Sequence, residues 1–407
     1  MNTTIPKRVK CISIFIMALL SLYPILYAYM NSFSFNYGEM LFLGLLPLIL
    51  ILAKSYRITT LPSGYYVFWF YVALLLIISS GDFKVTYLIP GGIAFTLFSL
   101  MTGVSIKYFN IDYLYKLMRS FLIIASLIFI LQYMGLTPEE YSRCFILPIS
   151  DHLAYSNLDY EGLIAMRQYG TRACSIFLEP AYFAQYACIF LVLELFYKAG
   201  TERLYTKLSI FIVAILLLSR SGCALLGLAT VATVKLVTYL RYTKRSMGYL
   251  LFVLPIIGMS IFYYFSTDVG AALLDRTAEL NTEGSSGYMR VFQGYFIYDY
   301  LPLINKIFGI STEDLMNMNI PFLSVGRDGE VAMFTNGLFT LLIRTGFVGF
   351  IIFMYIYIKM YKFTNIVGKA SLWLLLSLSL VEQVYLLFPM MLCTVLTTKE
   401  FNHTIQK

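Results

Sequence analysis

Charge is what this chain has least of. Only 13% of its 407 residues are Asp, Glu, Lys or Arg, against 59% hydrophobic, whereas a soluble globular chain carries about 25% charged and about 45–50% apolar residues. That shortage excludes a soluble enzyme, and so apolar a chain is not disordered. Histidine is nearly missing, with two residues, and the six cysteines fall into none of the spacings of a metal site. No basic run of the nucleic-acid-binding kind occurs, although 30 Lys and Arg against 22 Asp and Glu leave a net charge of +8. Internal repeats and low-complexity tracts are lacking too. A mean hydropathy of +0.75 leaves one class, an all-α polytopic membrane protein.

What is present is a series of long apolar runs. A helix needs about 20 such residues to cross a bilayer. Candidate spans are 11–30, 38–53, 63–80, 86–106, 114–135, 173–197, 205–219, 221–240, 247–266, 335–358 and 370–397. These give about 11 transmembrane helices, or 12 if the last run is a broken helix returning to its own side. The first run, Cys11 to Met30, is too long for a signal-peptide core and has no small-residue cleavage site, so it reads as a retained span. No soluble domain fits between the spans, and 1–407 reads as one membrane domain.

Lys and Arg in short loops orient the chain. Lys7, Arg8 and Lys10 place the N-terminus in the cytoplasm, and every second loop repeats the bias, as at Lys198, Arg203 and Lys207. Two long segments, 136–172 and 267–334, then face the periplasm or exterior. Both carry Phe, Leu, Ile and Tyr at intervals, which predicts short helices over the outer mouth of the bundle. They hold six Arg (143, 167, 172, 276, 290 and 327) and one Lys, whereas the inner loops use mostly Lys. An Arg fork grips phosphate or carboxylate in two places at once. An anionic head group or salt bridges within the loops would each account for it.

Four segments carry chemistry. The first is Arg172-Ala-Cys-Ser-Ile-Phe-Leu-Glu-Pro-Ala-Tyr-Phe-Ala184, in which Pro180 suits a first helical turn, beside Glu179. Free N–H groups there, with Arg172 upstream, make a site for a phosphate. Alternatively Glu179 caps its own helix and pairs with Arg172. The second is Ser219-Arg220-Ser221-Gly222, a turn between two apolar runs. A charge at such depth is a ligand group, or snorkels to the interface. Hydroxyls and N–H groups of this turn are expected around the guanidinium. The third is the stretch holding Arg276 and Gly284-Ser-Ser-Gly-Tyr-Met-Arg290. In the fourth, Asn336 opens a late span and Arg344 lies roughly 13 Å deeper at about 1.5 Å per residue. Arg344 either pairs with Glu382 on the last span or lines a lipid-phosphate path. Among 34 Tyr and 33 Phe, most belong to interfacial belts, and some could stack on sugars. Cys144 and Cys174 share the oxidising side, with nothing in the sequence to pair them.

At these segments the chain resembles the O-antigen polymerase and O-antigen ligase superfamily. Arg172 to Ala184 is similar to its R-x-x-G/S-x-F-x-E-P-x-x-F-A pattern, Ser219 to Gly222 to its S-R-S/T-G turn, Arg290 to Gly309 to a later loop, and Asn336, Gly346 and Gly349 to its late span. The resemblance implies a GT-C-like fold and metal-independent, cofactor-free glycosyl transfer at the outer face of the bacterial inner membrane. Donor and acceptor would both be undecaprenyl-pyrophosphate-linked oligosaccharides, joined during O-antigen or capsule synthesis, with a chain-length regulator as a candidate partner beside the lipid bilayer itself. Arg172, Arg220 and Arg290 would stabilise the departing pyrophosphate. Glu179 is the nearest carboxylate to act as base. Arg276, Asn336 and Arg344 would bind substrate. Where ligases often carry His before the Asn of the late span, this chain has Thr335, which favours a polymerase. A flippase is the alternative from another class, but transporters show internal repeats and short loops on both sides.

Overall fold

The computed structural model describes residues 7–26, 29–30, 37–53, 61, 63–79, 88–145, 152–153, 172–243, 266, 288, 292–311, 314–315, 318, 320, 324–325, 331–332 and 335–381. Twelve helices dominate them. In chain order these are α1 (Lys7–Leu26), α2 (Tyr37–Ala53), α3 (Ser63–Ser79), α4 (Leu88–Lys107), α5 (Ile111–Tyr133), α6 (Pro180–Val192, continued by a π-turn over Leu193–Lys198), α7 (Lys207–Leu218), α8 (Gly222–Thr243), α9 (Gly294–Tyr300), α10 (Leu303–Phe308), α11 (Gly337–Phe363) and α12 (Ile366–Leu378). Two ladders of two residues per strand join Tyr29–Met30 to His152–Leu153 and Ser324–Val325 to Val331–Ala332. In lipid every backbone group must be satisfied internally, and helices do this. Among the described residues, five helices are long and apolar enough to cross a membrane, beginning at Val9, Ile111, Pro180, Gly222 and Gly337. The protein is a helical membrane protein.

Nine of the eleven apolar runs coincide with helices; α12 covers only the start of 370–397, whose residues 382–397, and with them the returning broken helix, lie outside the described residues, as do 247–265. Boundaries moved where caps decide them. Asn110 accepts the Tyr113 N–H and starts α5 at Ile111 rather than at residue 114. Pro180 starts α6 seven residues later than the apolar run does, so Ile176, Phe177 and Leu178 belong to a strip of turns and bends instead of the helix. α12 stops at Leu378 in a tight turn, Val381 N–H to Leu378 C=O.

α6 is the central helix, with every residue from Phe183 to Phe196 buried. α5 packs against it antiparallel, with Phe129 on Phe183 at 5.3 Å and Tyr115 on Phe190 at 5.4 Å. α8 runs parallel to α6. Gly227 lets Cys188 and Leu374 approach, and a Cβ there would meet Cys188 Sγ at 2.5 Å. α11 runs antiparallel to α3, as the contacts of Phe353 with Phe68 and Ile356 with Gly64 show. It turns back through α12, whose end meets its start where Leu338 N–H donates to Ser379 C=O at 3.2 Å. The starts of α6, α8 and α11 therefore lie at one end of the bundle, with the ends of α5, α7 and α12.

Of the second long loop, α9 and α10 are the described helices. They pack along α11, and Ile297, Leu301 and Ile310 form a small core with Ile343. α11 breaks to receive them: Gly346 has φ 64°, and Gly309, φ 93°, lies against the carbonyl of Arg344. Carbonyls freed by the break are answered from outside the helix. Ile310 N–H donates to Ile343 C=O at 3.0 Å, and Tyr71 Oη donates to Thr345 C=O at 2.9 Å.

Candidate functional site

The strip before α6 is built onto the end of α5. Gln132 Oε1 accepts the Ser175 N–H at 2.8 Å while its Nε2 donates to the carbonyls of Ser175 and Tyr141. Ser175 Oγ donates to Ala125 C=O at 2.6 Å, and its backbone is left-handed at φ 61°. Cys174 N–H donates to Arg143 C=O and Phe145 N–H to Ser175 C=O, each at 2.7 Å. These bonds hold Arg172, half-buried, at the rim. Gln132 and Ser175 escaped the sequence reading because their partners lie 43 residues apart.

Glu179 is the N-cap of α6 by backbone only. Its φ of −137° is extended and its side chain makes no capping hydrogen bond, so of the alternative in which it caps its own helix and pairs with Arg172, the side-chain cap does not hold. The half-buried carboxylate is committed elsewhere than to the N–H groups of α6.

Arg220 occupies the turn between α7 and α8 in a left-handed conformation, φ 50°. It is half-buried, and its Nε has no hydrogen-bond partner among the described residues. Ser219 Oγ donates to Leu216 C=O at 2.7 Å, so that hydroxyl serves the end of α7 instead of turning toward the guanidinium, as the composition had led one to expect.

Asn336 caps α11, its Oδ1 accepting the Phe339 N–H at 3.0 Å. Thr335 and Thr340 hydroxyls meet at 2.6 Å beside it. Arg344 stands two residues before the Gly346 break with an exposed side chain. Arg276, Arg290 and Glu382, and with them the Arg344–Glu382 pair, lie outside the described residues.

Depth follows from helix rise. Cys188, Gly227 and Leu374 meet in one plane. At about 1.5 Å per residue Glu179 lies about 13 Å above that plane, and Arg220 and Asn336 each about 10 Å. Three segments remote in sequence thus share a layer about 3 Å thick. Three helix N-termini, those of α6, α8 and α11, open into the same layer, each with a partial positive charge, although in α11 Asn336 Oδ1 and the Ser379 carbonyl already take the Phe339 and Leu338 N–H groups. Arg344, seven residues into α11, falls close to the plane itself, well below the layer. Among the described residues, no group of three His, Cys, Asp or Glu converges as a metal set would.

No protein-family model matches the chain, and none of the curated proteins matches it in sequence.

Proposed function

We propose that this membrane protein is a polysaccharide repeat-unit polymerase of the O-antigen polymerase and ligase superfamily, a metal-independent glycosyltransferase using a polyprenyl-pyrophosphate donor. The reading is supported above all by one observation. Arg220, whose Nε has no hydrogen-bond partner among the described residues, shares a thin layer with Glu179 and with three helix N-termini. Such a layer is suited to a diphosphate. In this reading it faces the periplasm or exterior of a bacterial inner membrane, with the N-terminus in the cytoplasm.

The acceptor's terminal hydroxyl attacks the anomeric carbon of the donor glycan. The bond from that carbon to the pyrophosphate oxygen breaks, and undecaprenyl pyrophosphate leaves with the electron pair. Glu179 takes the hydroxyl proton. Arg220 and Arg172, with Arg290, hold the charge that develops on the leaving group, in a dry site where fixed charges act strongly. Arg276, Asn336 and Arg344 are assigned to binding the lipid-linked substrates.

Deleting the gene tests this directly. Surface glycans one repeat unit long are the expected result, and loss of all glycan would instead indicate a flippase or a ligase. Arg172→Ala and Arg220→Ala should each abolish long chains at unchanged protein level.

A further inference from the structure

Cys144 and Cys174 are 30 positions apart, yet their sulfurs lie 3.8 Å from each other. Both are buried, at 5% and 0% exposure. The two chains that carry them run side by side through the bonds Cys174 N–H to Arg143 C=O and Phe145 N–H to Ser175 C=O. Gln132 and Ala125 of α5 anchor the same strip through Ser175. The backbone is therefore already paired, and the two sulfurs need only close from contact to the roughly 2.05 Å of a bond.

We infer that Cys144 and Cys174 form a structural disulfide that fastens the strip carrying Arg172 and Glu179 to the end of α5. The inference rests on the orientation proposed above, because only the extracytoplasmic side is oxidising. The oxidant is the disulfide of an extracytoplasmic thiol–disulfide oxidoreductase. One cysteine thiolate attacks that disulfide and releases its first sulfur as a thiolate. The second cysteine then displaces the oxidoreductase from the mixed disulfide. Two cysteine thiols become one disulfide, the donor disulfide becomes two thiols, and the two cysteine protons end on the donor's sulfurs.

Timing follows from the surroundings. In the reduced fold, the hydrogen bond with Cys144 and burial hold the Cys174 thiol well above its usual range, against the opposing pull of the Arg143 guanidinium. A buried, protonated thiol exchanges slowly. The bond thus forms while the chain is still folding, and afterwards resists reductant until the protein is unfolded.

The test uses full-length protein from membranes, unfolded in detergent with excess alkylating agent and no reductant, then digested for mass spectrometry. A linked peptide pair holding Cys144 and Cys174 is expected, with the other four cysteines alkylated. Alkylation of both Cys144 and Cys174 without reductant overturns the inference. Labelling of Leu136→Cys, at an exposed position beyond α5, with a membrane-impermeant maleimide separates the two ways of failing. Free thiols with Leu136→Cys reached from outside remove the cross-link and keep the orientation. Free thiols with Leu136→Cys reached only from the cytosol remove the orientation too. In thermal melts Cys144→Ser, Cys174→Ser and the double variant should fall by the same amount. Separate, additive falls would contradict a shared bond.

Discussion

Ile310 N–H donates to the carbonyl of Ile343 at 3.0 Å, tying the second long loop to the helix turn that carries Arg344. The bond exists because α11 is broken at Gly346, whose backbone touches the Ile307 carbonyl. A broken helix in lipid is stable only when the freed groups find partners, and here Ile310 and Tyr71 supply them.

Gly346→Ala should therefore destabilise strongly. A Cβ would meet Ile307 O at 2.3 Å and also sit on a backbone at φ 64°. With ψ at −175° this backbone is one that glycine alone ordinarily adopts, a strain of about 1–3 kcal/mol for alanine, and the clash adds to it. Gly135→Ala, with φ 67° and nothing within 4 Å, should show the strain alone. Equal losses in thermal melts of the two variants would remove the close-packed break.

Arg220→Gly separates function from stability. Arginine in the left-handed region is strained, and glycine is not. The variant should lose no stability and gain up to about 1 kcal/mol, while long glycan chains disappear. Long chains at wild-type level, or a melting point lowered by several degrees, would count against Arg220 as a strained ligand residue.

Glu179→Gln preserves shape and, because the side chain does not cap α6, should leave stability within about 0.5 kcal/mol. Elongation should fall by about 10²–10⁴-fold, the usual contribution of a positioned base. Initial rates of chain extension check this, and a change under tenfold assigns proton removal to another group.

Tyr115→Phe probes the opposite end of the bundle. Glu194 is buried there and accepts from Tyr115 Oη at 2.6 Å and from Thr206 Oγ1 at 2.5 Å. Loss of a bond to a buried carboxylate should cost about 1–3 kcal/mol. Glycan length should be unchanged wherever protein level is matched, and shortened chains would place Glu194 in the reaction path.

Much of this was legible in the sequence. Apolar runs gave the helices, since hydropathy and length decide what lies in lipid. The Glu179-Pro180 pair marked the start of α6, and the Ser-Arg-Ser-Gly turn marked Arg220. Illegible were the features made by tertiary approach. Gly346 looked like part of a G-x-x-G pattern, but its break depends on Gly309, 37 positions before it. Gln132 is an ordinary polar residue at a helix end until Ser175 returns to it. The Cys144–Cys174 contact likewise needs both sides of a long loop. In each case local pattern names the residue and only packing names the partner.

Extension of labelled lipid-linked repeat units by purified protein, with a chelator present, tests the central claim most directly. A ladder of longer glycans from the wild type is expected, and none from an Arg172→Ala, Arg220→Ala double variant of unchanged melting temperature. A full ladder from the double variant, or a wild-type reaction that requires added divalent metal, would contradict the account.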